Sequence, residues 1–334
     1  MTTANTGPAA TSSGPAPAPG ARQATTTRPQ VRPVRFDAAR LWRNMTTRQA
    51  RAGYLFILPS MIVLAVFVFW PIVQSFLLSF QQWRFGSSVH PWVGLTNYER
   101  MLHDPRVWNA FRNTVYYTAV TVPVTLFISL LLALALNQTL PARNLLRAAF
   151  FLPVIASFAI VAIIWSFLLD PDIGMVAYWF KQLGLSTGGW LRDPDWAMPA
   201  VMLVSIWKNI GFNMVIFLAG LQGIPDIYYE AAKVDGASAW QRFWHVTLPL
   251  LRPTTLFVLV ISVIAAFQVF DVVWVMTPGG GPLFSTDVVV TYIYHQGIRA
   301  LDISYAASIG VVLFLIVFAL TLLQLHLLRY REVD

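Results

Sequence analysis

Six long stretches of this chain carry almost no charge, and that pattern limits what it can fold into more than any other feature. A helix needs about 20 predominantly apolar residues to cross a bilayer. Qualifying runs lie between Arg51 and Arg84, Arg112 and Arg143, Arg147 and Asp170, Asp195 and Asp226 (interrupted by Lys208), from Arg252 through Asp271, and between Asp302 and Arg329. Helices are the economical reading, because lipid offers no partner to backbone N–H and C=O groups and the runs lack the alternation of a spanning barrel strand. Of the 334 residues 57% are hydrophobic and 11% charged, against roughly 25% charged in a soluble domain. The expectation is an all-α integral membrane protein with six spans at approximately 54–81, 113–138, 148–169, 198–222, 250–275 and 304–328, so that 50–330 is one transmembrane domain.

Residues 1–49 are of different material, rich in Ala, Pro, Thr and Ser, with Arg the only basic type and Asp37 the only acid. Such a segment cannot bury a core and is expected to be a disordered tail. The first apolar run starts well inside the chain and is too long for a signal-peptide core, so it reads as a retained first span.

Orientation follows from Lys and Arg near the span ends. The amino-terminal flank (Arg40, Arg43, Arg48, Arg51), the second-to-third loop (Arg143, Arg147), the fourth-to-fifth loop (Lys233, Arg242, Arg252) and the tail (Arg329, Arg331) fall on one side, which places both termini in the cytoplasm. Arg84, Arg100, Arg106 and Arg112 in the first external loop count against this, partly offset by Glu99 and Asp104. The net charge of +8 is thus a topology signal, not a sign of nucleic acid. Without cysteine, disulfides and thiolate metal sites are excluded. His90, His103, His245, His295 and His326 form no ligand pattern, and no Gly-x-Ser-x-Gly elbow is present, so neither a metal centre nor catalytic residues are expected.

The most informative stretch is Ile224–Pro249. Asp226 is placed to cap a short helix whose formers Glu230, Ala231, Ala232 and Lys233 lead to Asp235 and Gly236, the latter suited to a left-handed helix stop. Ser238 and Gln241 have capping-box spacing, so a second helix starts at once, and Pro249 and Pro253 end it and open the next span. The product is an elbow at 225–248 with a small-residue face (Ala231, Ala232, Ala237) and an exposed acid, Glu230.

Polar groups inside spans are costly and therefore informative. In the fourth, Lys208 stands out, and Asn209, Phe212 and Asn213 share one face by their spacing. In the fifth, Gln268 and Asp271 share a face, while Ser262 points elsewhere on an ideal helix. Amides, a carboxylate and an aromatic ring suit a sugar; the plainer readings are that Asn209 and Asn213 tie helices together and that Asp271 sits at the interface. Among the 13 tryptophans, Trp83, Trp92, Trp190 and Trp196 flank spans, where interfacial anchoring is the usual role.

Glu230-Ala231-Ala232, Gly236 and Leu248-Pro249 resemble, at matching spacing, the cytoplasmic EAA signature of permease subunits of binding-protein-dependent ABC importers. Asp235-Gly236-Ala237, Phe243 and Thr247-Leu248-Pro249 resemble the carbohydrate branch, with maltose, lactose and glycerol-3-phosphate permeases. Val93-Gly94-Leu95-Thr96-Asn97-Tyr98, Asn113-Thr114, the stretch from Arg147 to Leu152-Pro153, and Thr277-Pro-Gly-Gly-Gly-Pro282 agree, the last resembling the larger maltose permease type; Ala177 departs where relatives often carry Asn. The resemblance covers roughly Ala52 to Arg329. It implies a type I ABC importer permease fold in a bacterial cytoplasmic membrane, with the elbow as coupling helix on an ATPase, Glu230 meeting a basic residue there and Gly236 allowing the turn. It also implies a solute path along the fourth and fifth spans, hence past Asn209, Phe212, Asn213, Ser262, Gln268 and Asp271. The implied partners are a second, homologous permease in a heterodimer, two ABC ATPase subunits that hold ATP and Mg, and an extracytoplasmic solute-binding protein. The chain's own lysines, Lys181, Lys208 and Lys233, lie in no phosphate-binding Gly-x-x-x-x-Gly-Lys-Ser/Thr loop. An ion-coupled secondary carrier would share the six spans but leave the elbow without a purpose.

Overall fold

Every apolar run of the sequence forms helix, yet two of the six are not single helices. The computed structural model describes residues 48–83, 86, 89–138, 141–184 and 189–327. The expectations for the tail up to residue 47, for Arg84 and for Arg329 and Arg331 therefore lie outside the described residues. The chain divides into two units, Met1–Ile62 and Val63–Asp334.

In chain order the helices are α1 (Ala52–Leu78), α2 (Thr96–Leu102), α3 (Pro105–Asn137), α4 (Arg143–Ile155), α5 (Phe158–Leu168), α6 (Met175–Gln182), α7 (Pro194–Gln222), α8 (Asp226–Val234), α9 (Ala239–Leu250), α10 (Arg252–Phe267), α11 (Asp271–Met276), α12 (Val289–Tyr294) and α13 (Ile303–Leu327). Helices α1, α3, α7 and α13 are each long and apolar enough to cross a membrane, and the count reaches six if the bent pairs α4–α5 and α9–α10 each make one span. Helix α3 is 33 residues long and starts at Pro105, eight residues before the expected boundary at 113, because Asp104 caps it by accepting from the Arg106 N–H at 2.9 Å.

The expected third span, 148–169, is instead α4 and α5, bent by 97° at Ala156 and Ser157. Pro153 lacks a backbone donor and crowds the preceding turn, and the chain leaves the helix three residues later. A helix end inside the bilayer needs partners for its last carbonyls. Lys208 Nζ supplies one, donating to the Val154 carbonyl at 3.3 Å, and lies 4.3 Å from the Phe158 ring. The mid-span lysine thus closes the break. Helix α7 reaches this junction at Gly211, where any Cβ would collide with the Phe150 carbonyl.

The expected fifth span, 250–275, also differs. Helix α10 stops at Phe267, Gln268 to Phe270 are non-helical, and α11 resumes at Asp271. At its other end α10 meets α9 at 62°, with Leu251 between them.

Helices α3 and α7 pack along one another, joined by Ser129 Oγ donating to the Ile210 carbonyl at 2.9 Å. The larger buried cluster includes Tyr117, Val201, Val204, Val273, Tyr292, Tyr305 and Ile309; a smaller one gathers Ala133, Met214, Phe217, Leu221 and Val258. Outward residues are apolar, as lipid requires: on α1, Phe67 is 74% exposed and Phe69 56%.

Candidate functional site

A cavity of about 520 Å³ opens between α3, α7 and the α10–α11 break. Asn209, Phe212, Asn213, Ser262, Gln268 and Asp271 all line it. The first three come from one face of α7. Ser262 corrects the expectation that it points away from Gln268 and Asp271: because α10 ends at Phe267, helical geometry does not carry across to Asp271, and both ends of the break turn toward the same space. Asn213 is 3% exposed and donates to Ser262 Oγ at 3.3 Å, while Asn209 donates to the Ser205 carbonyl one turn back at 2.9 Å. The helix-tying reading therefore holds for Asn213, which faces the cavity as well. Lys208 does not line it.

The sequence reading missed Tyr117, Thr121 and Thr125 of α3, which form another wall. Their signal was available, since 117, 121 and 125 repeat at four residues and mark one helix face. Phe158, Phe257 and Phe270 add aromatic surface.

The elbow is two helices joined by a tight turn. Asp226 is the first residue of α8 and caps nothing; the cap position is Pro225. Gly236 has φ +76° and nothing near its missing Cβ, so conformation alone demands glycine there. The Ala237 N–H closes the turn by donating to the Ala232 carbonyl at 2.9 Å. Ser238 and Gln241 form the expected capping box, with Ser238 N–H to Gln241 Oε1 at 2.8 Å and Gln241 N–H to Ser238 Oγ at 3.3 Å. Pro249 does not end the second helix. The chain passes through a π turn, Phe243–Thr247, and one further helical turn, with Leu248 and Pro249 half-buried, before breaking at Leu251. Tyr229 and Thr247, with hydroxyls 3.1 Å apart, tie α8 to α9. Glu230, Ala231 and Asp235 are exposed and Ala232 is half-buried. Ile227, Tyr228, Val234, Trp240 and Trp244 are exposed as well, Val234 by 88%.

At the opposite end of α3 lies a polar lattice. Asp104 accepts from Tyr292 OH at 2.6 Å and Tyr305 OH at 2.7 Å, and Gln296 donates to Tyr292 OH at 2.6 Å. Burial works to raise the Asp104 carboxyl, but the two tyrosines and the backbone N–H of Arg106 outweigh it and hold the group below the ordinary aspartate range. Burial, reinforced by Asp104, pushes the Tyr292 hydroxyl up to about 12. Arg100 pairs with Asp302 at 2.7 Å and Arg106 with Asp287 at 3.2 Å, so two arginines that weighed against the charge-based topology are neutralised by acids distant in sequence. Asn113 donates to the Asp287 carbonyl at 2.9 Å, Thr114 Oγ1 accepts from the Val289 N–H at 3.0 Å, and Asn97 donates to the Ser79 and Gln81 carbonyls at 2.9 and 2.8 Å. Within the supporting sequence matches, Asn113 and Thr114 thus tie α3 to the segment at Asp287–Val289, while Asn97 holds the turn that follows α1.

Residues 101–331 match the model of the family described as binding-protein-dependent transport system inner membrane component. The chain belongs to this family. Among similar members of the inner-membrane component family are the lactose transport system permease protein LacF of Rhizobium radiobacter, 36% identical over 84% of this chain and 95% of its own, and the arabinooligosaccharides transport system permease protein AraP of Bacillus subtilis, 34% identical over 86% and 91%. A solved bacterial ABC transporter involved in import of the acidic polysaccharide alginate superposes with a TM-score of 0.78 at 26% identity, over 88% of this chain and 100% of that one. The alginate transporter in complex with an alginate pentasaccharide-bound periplasmic protein gives 0.75 at 26% identity, over 86% and 96%. This family member is therefore an ABC importer permease subunit, a multi-pass inner-membrane transport component and not an enzyme.

Proposed function

We propose that this permease moves a sugar or sugar-like solute inward along the cavity walled by α3, α7 and the α10–α11 break. The observation that carries the reading is the convergence there of two amides on α7, the Ser262 hydroxyl, and Gln268 and Asp271 at the broken helix, beside the rings of Phe212 and Phe270. Hydrogen-bonding groups with flat apolar faces are what a polyol ring requires. Sugar-related names among the relatives support this solute class.

The α8–α9 elbow is the coupling element. Its exposed apolar residues and Glu230 form the surface that docks on a cytoplasmic ATPase, with Gly236 setting the turn and Leu248-Pro249 leading back into α10. ATP and Mg belong to two ATPase subunits, and this chain holds no cofactor. A second, homologous permease completes the pathway, a solute-loaded external binding protein favours the outward-facing state, and both termini lie in the cytoplasm. Coupling then consists of contacts that differ between inward- and outward-facing states.

The test is co-purification of the wild-type chain and Glu230→Ala with candidate ATPase and companion permease subunits, followed by ATP hydrolysis with loaded binding protein. The importer reading expects assembly and stimulated hydrolysis for wild type and their loss in the variant. Transport that follows an ion gradient without any associated ATPase would transfer the assignment to a secondary carrier.

A further inference from the structure

The last residue of α7 takes part in an arrangement that transport leaves unused. The amide oxygen of Gln222, oriented to satisfy its neighbours, accepts from Arg143 Nη2 at 2.9 Å and from Arg147 Nη2 at 3.0 Å. Arg143 and Arg147 are four residues apart in the first turns of α4, so one helical face delivers both. Two guanidiniums on one neutral oxygen repel each other, and their position at the amino-terminal end of α4 adds to the local positive potential. The carbonyl end of α7 offsets only part of this.

Among the described residues no carboxylate pairs with either arginine; the ion pairs use Arg100, Arg106 and Arg192 instead. Among the described residues the Nε of each guanidinium is buried without a hydrogen-bond partner, so each guanidinium has donor capacity that Gln222 does not use. The same helix exposes Leu145 by 71% and Leu152 by 66% on the face opposite the arginines, so the arginines lie at the end of α4 where its exposed apolar face begins. Planar guanidinium forks match phosphate oxygens in pairs, and basic residues at such a boundary meet the headgroups of anionic lipids.

We propose that Arg143 and Arg147 form a two-pronged phosphate site, occupied by the headgroup phosphate of an anionic phospholipid, with Gln222 as the positioning residue that sets the spacing of the prongs. The leaflet rests on the orientation proposed above; the site itself does not.

The full-length chain, purified in detergent, is titrated with short-chain phosphatidylglycerol, with phosphatidylcholine, and with inorganic phosphate, and retained ligands are read by native mass spectrometry. Wild type is expected to hold phosphatidylglycerol in preference to phosphatidylcholine. Arg143→Gln/Arg147→Gln is expected to hold it about thirtyfold less tightly, from two lost charges. Arg143→Lys/Arg147→Lys and Gln222→Ala should fall between, and both keep the site testable if the double glutamine variant misfolds. Competition by inorganic phosphate alone would keep the chemistry and assign the site to a free anion. Equal phosphatidylglycerol retention by wild type and a variant of unchanged melting temperature, with no phosphate binding, would overturn the proposal. So would unchanged lipid retention combined with lost ATPase assembly, which would give the arginines to an acidic protein surface. Because binding is read on the chain alone, failure of the transport reading would leave these results intact.

Discussion

The polar lattice around Asp104 and the elbow around Gly236 differ in how they treat their functional groups. In the lattice, charges and hydroxyls are consumed internally: Tyr292 and Tyr305 are 2% and 0% exposed and both donate to Asp104, while Arg100 and Arg106 have carboxylate partners. The elbow is held together by its turn, its capping box and the Tyr229–Thr247 contact, and leaves Glu230, Ile227, Val234 and Trp240 in the open. A region satisfied within itself serves stability, and a well-ordered region with unsatisfied apolar surface serves a partner. Substitutions in the first should therefore unfold the protein, and those in the second should uncouple it.

The largest expected effect is at Asp104. Asp104→Ala leaves two buried hydroxyls without their acceptor and should lower stability by about 2–4 kcal/mol, read as a drop in melting temperature of the purified chain. The same residue predicts a pH dependence. A carboxyl held below its unfolded value stabilises above that value and loses its contribution as pH falls through the folded one. Wild type should thus lose more stability than Asp104→Asn on acidification below about pH 4. Asp287, pushed up by burial against the pull of Thr291 and Arg106, works in the opposite sense and is common to both proteins, so the difference isolates Asp104.

Next in size is Glu230→Ala, which should leave melting unchanged and reduce coupled transport by about 5- to 150-fold, the range of ordinary coupling energies. A matching fall in melting temperature would erase the contrast. Gly236→Ala sharpens it: with open space around the missing Cβ, the only cost is the left-handed backbone, about 1–2 kcal/mol, confined to the elbow. The smallest stability effect belongs to Asn213→Ala, about 0.6 kcal/mol for one interhelical hydrogen bond in a membrane protein. Its larger signature should be a raised KM for transport.

Hydropathy made the helical class legible because a count of apolar residues detects burial in lipid. It could not find the breaks, which concern backbone bonding. Pro153 was a readable warning of the α4–α5 bend, but nothing between Ile264 and Asp271 announces the end of α10: that stretch holds neither Gly nor Pro. For that reason an ideal helix turned Ser262 away from Gln268 and Asp271, although the family resemblance set all three on one solute path. The capping box and Gly236 were readable because their chemistry is local. Asp287 and Asp302, the partners of Arg106 and Arg100, lie more than a hundred residues away, and no local pattern connects them.

The central claim, that the elbow is a cytoplasmic surface for an ATPase, has a direct test in a chain that contains no native cysteine. Ala231→Cys places one thiol on the exposed face of α8. The account predicts that it cross-links to the ATPase subunit in assembled transporter, with a yield that changes when ATP is added, and that membrane-impermeant maleimide applied to intact cells does not label it. Labelling from outside, with no cross-link under any nucleotide condition, would contradict both the orientation and the coupling role.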